Sequence, residues 1–301
     1  MFVRGLLDKL EVKPMIFKVG QFKSAAESYT EKQMSEPNRR QIQTILDDVW
    51  GHMLDEIAAS RKLDRNRLDQ MASELTITDA KGAKKHGLVD DLKHPDEVEA
   101  ELKSLLKRED KADLDAIDFF DYAEANAKTP TSSKQVAVIY AVGGIDMGKG
   151  GVESIGSESL SEQIRKARKD DKIKAIVLRV NSPGGSALAS DILAREIELT
   201  RKVKPVIASY GDVAASGGYY ISALCDSIVA EATTITGSIG VIGMMYNTQQ
   251  FYSNKLGITH DRVYSSANQY ADLGNPNRTM TAFEEAKIQR AVEDIYSDFI
   301  H

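Results

Sequence analysis

The chain has 301 residues, 42 % of them apolar and 28 % charged, with a formal charge of −6. This length exceeds the usual size of one domain, and the composition is that of an ordinary globular chain, which excludes a collagenous or wholly disordered one. The negative balance, with no long Lys/Arg run, argues against a nucleic-acid partner, which calls for a basic face. Cys225 is the single cysteine, so no intrachain disulfide forms, and the count fits a reducing or an oxidising compartment. No stretch reaches 18 apolar residues, and MFVRGLLDKL carries its charges inside the early apolar run, so neither a spanning helix nor a signal peptide is visible. If the protein works at a membrane, its anchor is expected to lie outside this chain.

Taken in order, residues 38 to 75 place Ile42, Ile45, Leu46, Val49, Met53 and Ile57 at helical spacing, and a second helical run covers about 95 to 107. From 108 to 134 the pattern weakens into a charged and then Thr/Ser/Pro-rich stretch, read as a linker. Strands and helices alternate beyond it. VAVIYAV (136–142), KAIVLRV (174–180), PVIASY (205–210) and SIVAE (227–231) read as strands, separated by helices over 157–170, from Ser186 to about Arg201, and after Ser216. Unbroken apolar strands spaced by helices predict buried parallel strands in an α/β layer structure.

A weak internal repeat pairs Met34-Ser35 with Met280-Thr281, an offset of 246 positions (280 against 34), and the same offset pairs Ile42-Gln43 with Ile288-Gln289. It predicts the end of one copy followed by the beginning of a second, as in an internal segment of a longer protein. The boundaries expected are residues 1–130 for the later part of the first copy, ending in the linker, and 131–301 for the earlier part of the second.

GGIDMGK (143–149) has the spacing of a phosphate-binding loop, but Gly150 stands where a Ser or Thr hydroxyl belongs, so these glycines are read as a turn. GSIGVIG (237–243) lacks the dinucleotide fingerprint and reads as a close backbone approach. The five histidines (His52, His86, His94, His260 and His301) show no metal-ligand spacing, and neither a cofactor nor a metal is expected.

NSPGG (181–185) lies at the carboxyl end of strand KAIVLRV, the edge where open α/β sheets place ligands. The backbone N–H groups of Gly184 and Gly185 are there candidates for an oxyanion hole, and the plain alternative is a strand-to-helix turn. GDVAASGGYYIS (211–222) puts Ser216 at the same edge of the next strand, before a helix and among small neighbours. This serine is either a nucleophile on a tight turn or a small packing residue. No histidine lies between His94 and His260, so another base is considered: Lys23 in VGQFKSAAESY has small or apolar neighbours, and burial would lower its pKa enough for base chemistry. A solvated lysine is the plain alternative.

Taken together, NSPGGSALAS, GDVAASGGYYIS, TITGSIGVIG, VGQFKSAAESY and AKKHGLVDDL closely resemble the signal peptide peptidase A family, also called protease IV, in its long double-repeat form. The resemblance spans nearly the whole chain. It implies a fold like the Clp protease subunit and the crotonases, a spiral of ββα units in two tandem repeats, assembled into homo-oligomeric rings or domes. It also implies a serine endopeptidase of the bacterial inner membrane, with its site on the periplasmic side, degrading cleaved signal peptides. Matched by motif, Ser216 stands for the nucleophile, Lys23 for the general base and Ser238 for the residue orienting that lysine. Gly184, Gly185 and Gly217 stand for the oxyanion region. Two alternatives share this fold: a crotonase-like acyl-CoA enzyme, which relies on carboxylates, and a non-catalytic scaffold.

Overall fold

The structure is a computed structural model that describes residues 1–109, 113–114, 116–126, 132–151, 153–265 and 267–301. Their contacts divide the chain into two compact units, one of Met1–Asp47 with Ser133–His301 and one of Asp48–Ser132. The domain boundary expected after residue 130 and part of the expected linker lie outside the described residues.

The chain opens with α1 (Arg4–Leu10), β1 (Lys13–Val19), α2 (Glu27–Thr30) and α3 (Glu36–Arg61). The helical pattern expected over 38–75 is divided, because Lys62 adopts a positive φ of 54° and the Asp64 side chain accepts from the Arg67 N–H at 2.8 Å, starting α4 (Arg65–Ser73). Then come α5 (Ala80–Lys85), α6 (Pro95–Leu105) and α7 (Phe119–Asn126). Helix α7 stands inside the expected linker; the Asp118 carboxylate accepts from the Phe120 N–H at its first turn. In this smaller unit Leu54, Leu68 and Met71 form a buried cluster with Ile57, Leu63, Ile77 and Leu88 around it.

The larger unit continues with β2 (Gln135–Val142), β3 (Gly144–Asp146), β4 (Ser154–Gly156), α8 (Ser157–Lys169), β5 (Ile173–Ser182), α9 (Ala187–Arg201), β6 (Val206–Ala215) and α10 (Gly217–Ala223). It ends with β7 (Ser227–Val229), β8 (Ile235–Gly237), β9 (Val241–Asn247) and α11 (Ala282–Ile300). The main sheet is parallel in the order β2-β5-β6-β7, and β8 pairs with the far end of β6. The protein is thus a mixed α/β protein with a parallel sheet, as the alternation predicts.

Leu160 and Ile164 of α8 and Leu193 and Ile197 of α9 bury their apolar stripes in one cluster with Ile176, Leu178 and Val180 of β5 and Val206, Ala208 and Tyr210 of β6. Strand β2 departs from the expectation of burial on both faces: Ile139 and Ala141 enter this core, while Val136, Val138, Tyr140 and Val142 are exposed. Alternating side-chain direction lets one face pack while the other stays uncovered. The segment read as a turn at 143–149 contains β3, because the Ile145 backbone pairs with Ile155 of β4 and with Gly185.

Strands β1 and β9 form a separate antiparallel pair that packs Phe17 against Met280, just before α11, and Val292 of α11. Its register sets Val19 opposite Val241. A Cβ on Gly240 would lie 2.8 Å from the Val19 carbonyl oxygen, which is the close backbone approach anticipated for GSIGVIG. Helices α3 and α11 begin at Glu36 and Ala282, the same offset that pairs Met34 with Met280.

Candidate active site

Strands β5 and β6 end side by side, with Ser182 paired to Ala214. After β5 the chain turns through Pro183, Gly184 and Gly185 into α9. Gly184 has φ 96°, and a Cβ there would stand 2.5 Å from the Gly217 nitrogen and 2.9 Å from the Ser216 Cβ. Only glycine fits both the left-handed backbone and the space. Ser182, fully buried, ties this turn down: its Oγ accepts from the Gly184 N–H at 3.2 Å and donates to the Gly143 carbonyl at 2.7 Å. The Gly184 N–H is therefore engaged. Among the described residues the N–H groups of Gly185 and Gly217 have no acceptor, and these backbones lie next to Ser216.

Strand β6 delivers Ser216 to the first turn of α10. Its backbone is in a disfavoured region, φ 52° and ψ −118°, which costs on the order of 1–3 kcal/mol and persists only when the surroundings over-determine it. Here the Ser216 N–H donates to the Gly237 carbonyl at 2.9 Å, and the Ser216 carbonyl accepts from the Tyr220 N–H at 2.9 Å. Ser238 also has a positive φ of 49°.

Lys23 arrives from the other sheet. Strand β1 ends at Val19, and after Gly20, at φ 101°, the Lys23 N–H donates back to the Gly20 carbonyl at 3.2 Å, aiming the side chain at the end of β6. Its Nζ lies 2.9 Å from Ser216 Oγ, 2.9 Å from the Ser238 carbonyl oxygen and 3.1 Å from Ser238 Oγ. The residue is 8 % exposed, and burial pushes the ammonium below its ordinary range. No carboxylate pairs with Lys23 among the described residues to offset this.

Two cavities flank the contact. The smaller, about 240 Å³, is bounded by Ser216, Gly185, Gly217 and Tyr220, and by Ile295 and Phe299 from the end of α11. Tyr220 stacks on Phe299 with ring centroids 4.5 Å apart, and its hydroxyl donates to Asp191 at 3.0 Å. The larger cavity, about 620 Å³, lies on the Ser238 side between Phe22, Ile235, Ile239 and the first turns of α3. Among the described residues no histidine lines either cavity.

The structure thus brings together all six residues singled out in the sequence: Lys23, Ser216 and Ser238 in direct contact, with Gly184, Gly185 and Gly217 beside them. Sequence reasoning missed Ser182, whose role needs the turn to be seen folded, and the contribution of α11. The apolar periodicity of α11 is visible in the sequence, but its destination is not. Among the described residues no His, Cys, Asp or Glu cluster is arranged to hold a metal.

A parallel α/β sheet that sets a strained serine against a buried lysine is a layout suited to nucleophilic hydrolysis, and sequence comparison agrees in class. The chain belongs to peptidase family S49, whose profile matches residues 1–109 and 198–301. It is 34 % identical over 306 residues to the chloroplastic serine protease SPPA of Arabidopsis thaliana, covering 99 % of this chain and 45 % of that protein. It is 36 % identical over 313 residues to Protease 4 of Salmonella typhi, covering 100 % of this chain and 49 % of that protein. Protease 4 of Haemophilus influenzae is 33 % identical over 307 residues, with 98 % and 48 % covered. The chain spans about half the length of these curated relatives.

Proposed function

We propose that this chain carries the catalytic centre of a serine endopeptidase working through a Ser-Lys dyad. The observation that carries the reading is the 2.9 Å contact between Lys23 Nζ and Ser216 Oγ in a buried setting that favours the neutral amine. Neutral Lys23 donates its N–H bonds to Ser238 and offers its lone pair to the Ser216 hydroxyl. Ser216 Oγ attacks the peptide carbonyl while its proton passes to Nζ, and the carbonyl electron pair becomes an oxyanion held by the Gly185 and Gly217 N–H groups. On collapse the C–N bond breaks and Lys23 returns the proton to the leaving amine. Water then gives a proton to the same lysine and attacks the acyl carbonyl; the C–Oγ bond breaks, Lys23 returns the proton to Ser216 Oγ, and the peptide acid leaves. Ser238 holds Nζ on line, and Gly184 shapes the turn. General base catalysis of this kind contributes about 10²–10⁴-fold.

The substrates in this reading are cleaved signal peptides and other unfolded apolar peptides. The family resemblance supports this, as do the apolar walls of both cavities. The acyl-CoA alternative calls for carboxylates as acid and base, and among the described residues neither cavity is lined by one. In this reading the whole protein works at the bacterial inner membrane as a homo-oligomer of a two-repeat spiral, with the site on the periplasmic side, and the family resemblance is what supports it. The equal offset of α3 and α11 supports the repeat. Among the described residues no helix is long and apolar enough to cross a membrane.

The test is labelling of the full-length protein by a fluorophosphonate probe, located by mass spectrometry, alongside peptide cleavage. Labelling at Ser216 that is lost in Lys23→Ala is the expected result. Peptide cleavage that survives Ser216→Ala overturns the assignment.

A further inference from the structure

The larger cavity carries a feature that the dyad does not use. Helix α3 presents Arg40, Gln41, Thr44 and Ile45 to it, two i,i+4 pairs on adjacent rows of one face. Gln41 and Ile45 are half-buried while Arg40 and Thr44 are exposed, so the guanidinium stands on the more open side of this wall. The chain holds 45 Asp and Glu against 39 Lys and Arg, yet among the described residues no Asp or Glu lines this cavity. Its charged residues are Arg40 and the buried Lys23. Among the described residues Arg40 makes no ion pair, although Glu36 stands one turn before it on the same helix.

An apolar chamber that opens beside the nucleophile's base, with a guanidinium unclaimed at its rim, suits a ligand that is apolar along its length and ends or is punctuated by a carboxylate. We propose that this cavity binds a carboxylate carried on an otherwise apolar peptide, with Arg40 as the residue that reads it. The inference rests on the peptidase reading for its peptide ligand and names a substrate feature beyond it. Two sources share the chemistry: an Asp or Glu side chain within the peptide, and the free C-terminal carboxylate of a peptide already cut once. Guanidinium and carboxylate pair through two parallel N–H···O bonds, which Lys or Gln at position 40 does not reproduce.

The test measures binding separately from chemistry. Fluorescent Ala/Leu peptides are titrated by anisotropy, at low salt, into the full-length protein carrying Ser216→Ala. One series is neutral and amidated, one is amidated with a single Glu or Gln scanned along the peptide, and one is neutral with a free C-terminus. The expected result is about fivefold tighter binding for Glu over Gln at one register, or for free acid over amide, and the arm that shows it identifies the source. Adding Arg40→Gln removes the preference, whereas adding Arg39→Gln, the same charge change one residue away, retains it. No preference in either arm, a preference that survives Arg40→Gln, equal loss in both arginine variants, or no binding of any peptide overturns the proposal. If Ser216 cleaves neutral peptides without a carboxylate preference, the peptidase reading stands and this inference falls. If the Arg40-dependent preference is present but the protein with Ser216 intact cleaves nothing, the reverse holds.

Discussion

Lys23 and Ser216 lie 193 positions apart in the chain, and their side chains meet at 2.9 Å because β1 pairs with β9 while β6 pairs with β8, bringing the ends of two sheets together. Two consequences follow for pH. In the proposed dyad Ser216 requires the neutral amine, so its acylation rate is expected to rise with pH through the lowered Lys23 value and to level off there, short of the ordinary lysine range. Stability follows the same titration. Burial lowers the folded value below the ordinary 10.5, so between the two values the unfolded chain binds more protons, and stability rises with pH across that window. Lys23→Met, which has nothing to titrate, is expected to flatten this dependence, as read by Tm from neutral to alkaline pH, while abolishing probe labelling.

Ser238→Ala removes one of the three contacts that hold Nζ and leaves the Ser238 carbonyl in place. A hydrogen bond of this kind is worth about 0.5–1.5 kcal/mol net, so kcat/KM is expected to fall about three- to tenfold with KM little changed. An unchanged kcat would show that the carbonyl alone orients the lysine.

Gly184→Ala places a methyl 2.5 Å from the Gly217 nitrogen at a residue with φ 96°. The left-handed backbone alone costs about 1–2 kcal/mol, and displacement of the Gly217 N–H is expected to remove about 10²–10³-fold of the acylation rate. Ser182→Ala strands the Gly184 N–H and the Gly143 carbonyl in a fully buried position. Its expected cost is about 1–3 kcal/mol, measured by chemical denaturation.

Arg278 and Glu284 form a buried pair at the start of α11, joined by Asp272. The Arg278 guanidinium holds the Glu284 carboxyl at about 2. Its folded value lies below its ordinary one, so this pair's stabilisation is complete above the ordinary carboxylate range and is lost as pH falls through that range toward about 2. Glu284→Gln leaves the buried guanidinium with Asp272 as its remaining carboxylate and is expected to cost about 1.5–3 kcal/mol at neutral pH, with a weaker acid dependence of Tm.

Much of this protein is legible locally. The β-α alternation from β2 to β7 follows from apolar runs spaced by amphipathic helices, and Ser216 and the NSPGG turn stand out because small residues cluster at strand ends. The break at Lys62 and helix α7 within the expected linker were less legible, since both depend on single side-chain caps. The exposed face of β2 was not legible, because an apolar run reads alike whether one face packs or two.

The sequence by itself determined which residues are candidates for the chemistry: a serine before two glycines, a lysine among apolar neighbours, and a glycine turn at a neighbouring strand end. Their types and local backbone requirements are properties of a few consecutive residues. Only the tertiary structure decided that Lys23 is buried against Ser216 and Ser238, that the Gly184 N–H is taken by Ser182 while those of Gly185 and Gly217 stay open, and that α3 brings Arg40 to the cavity rim. Each of these depends on segments distant in sequence closing onto one another, and the apolar packing that drives such closure is non-directional and pooled over the whole core, so no short window records its outcome.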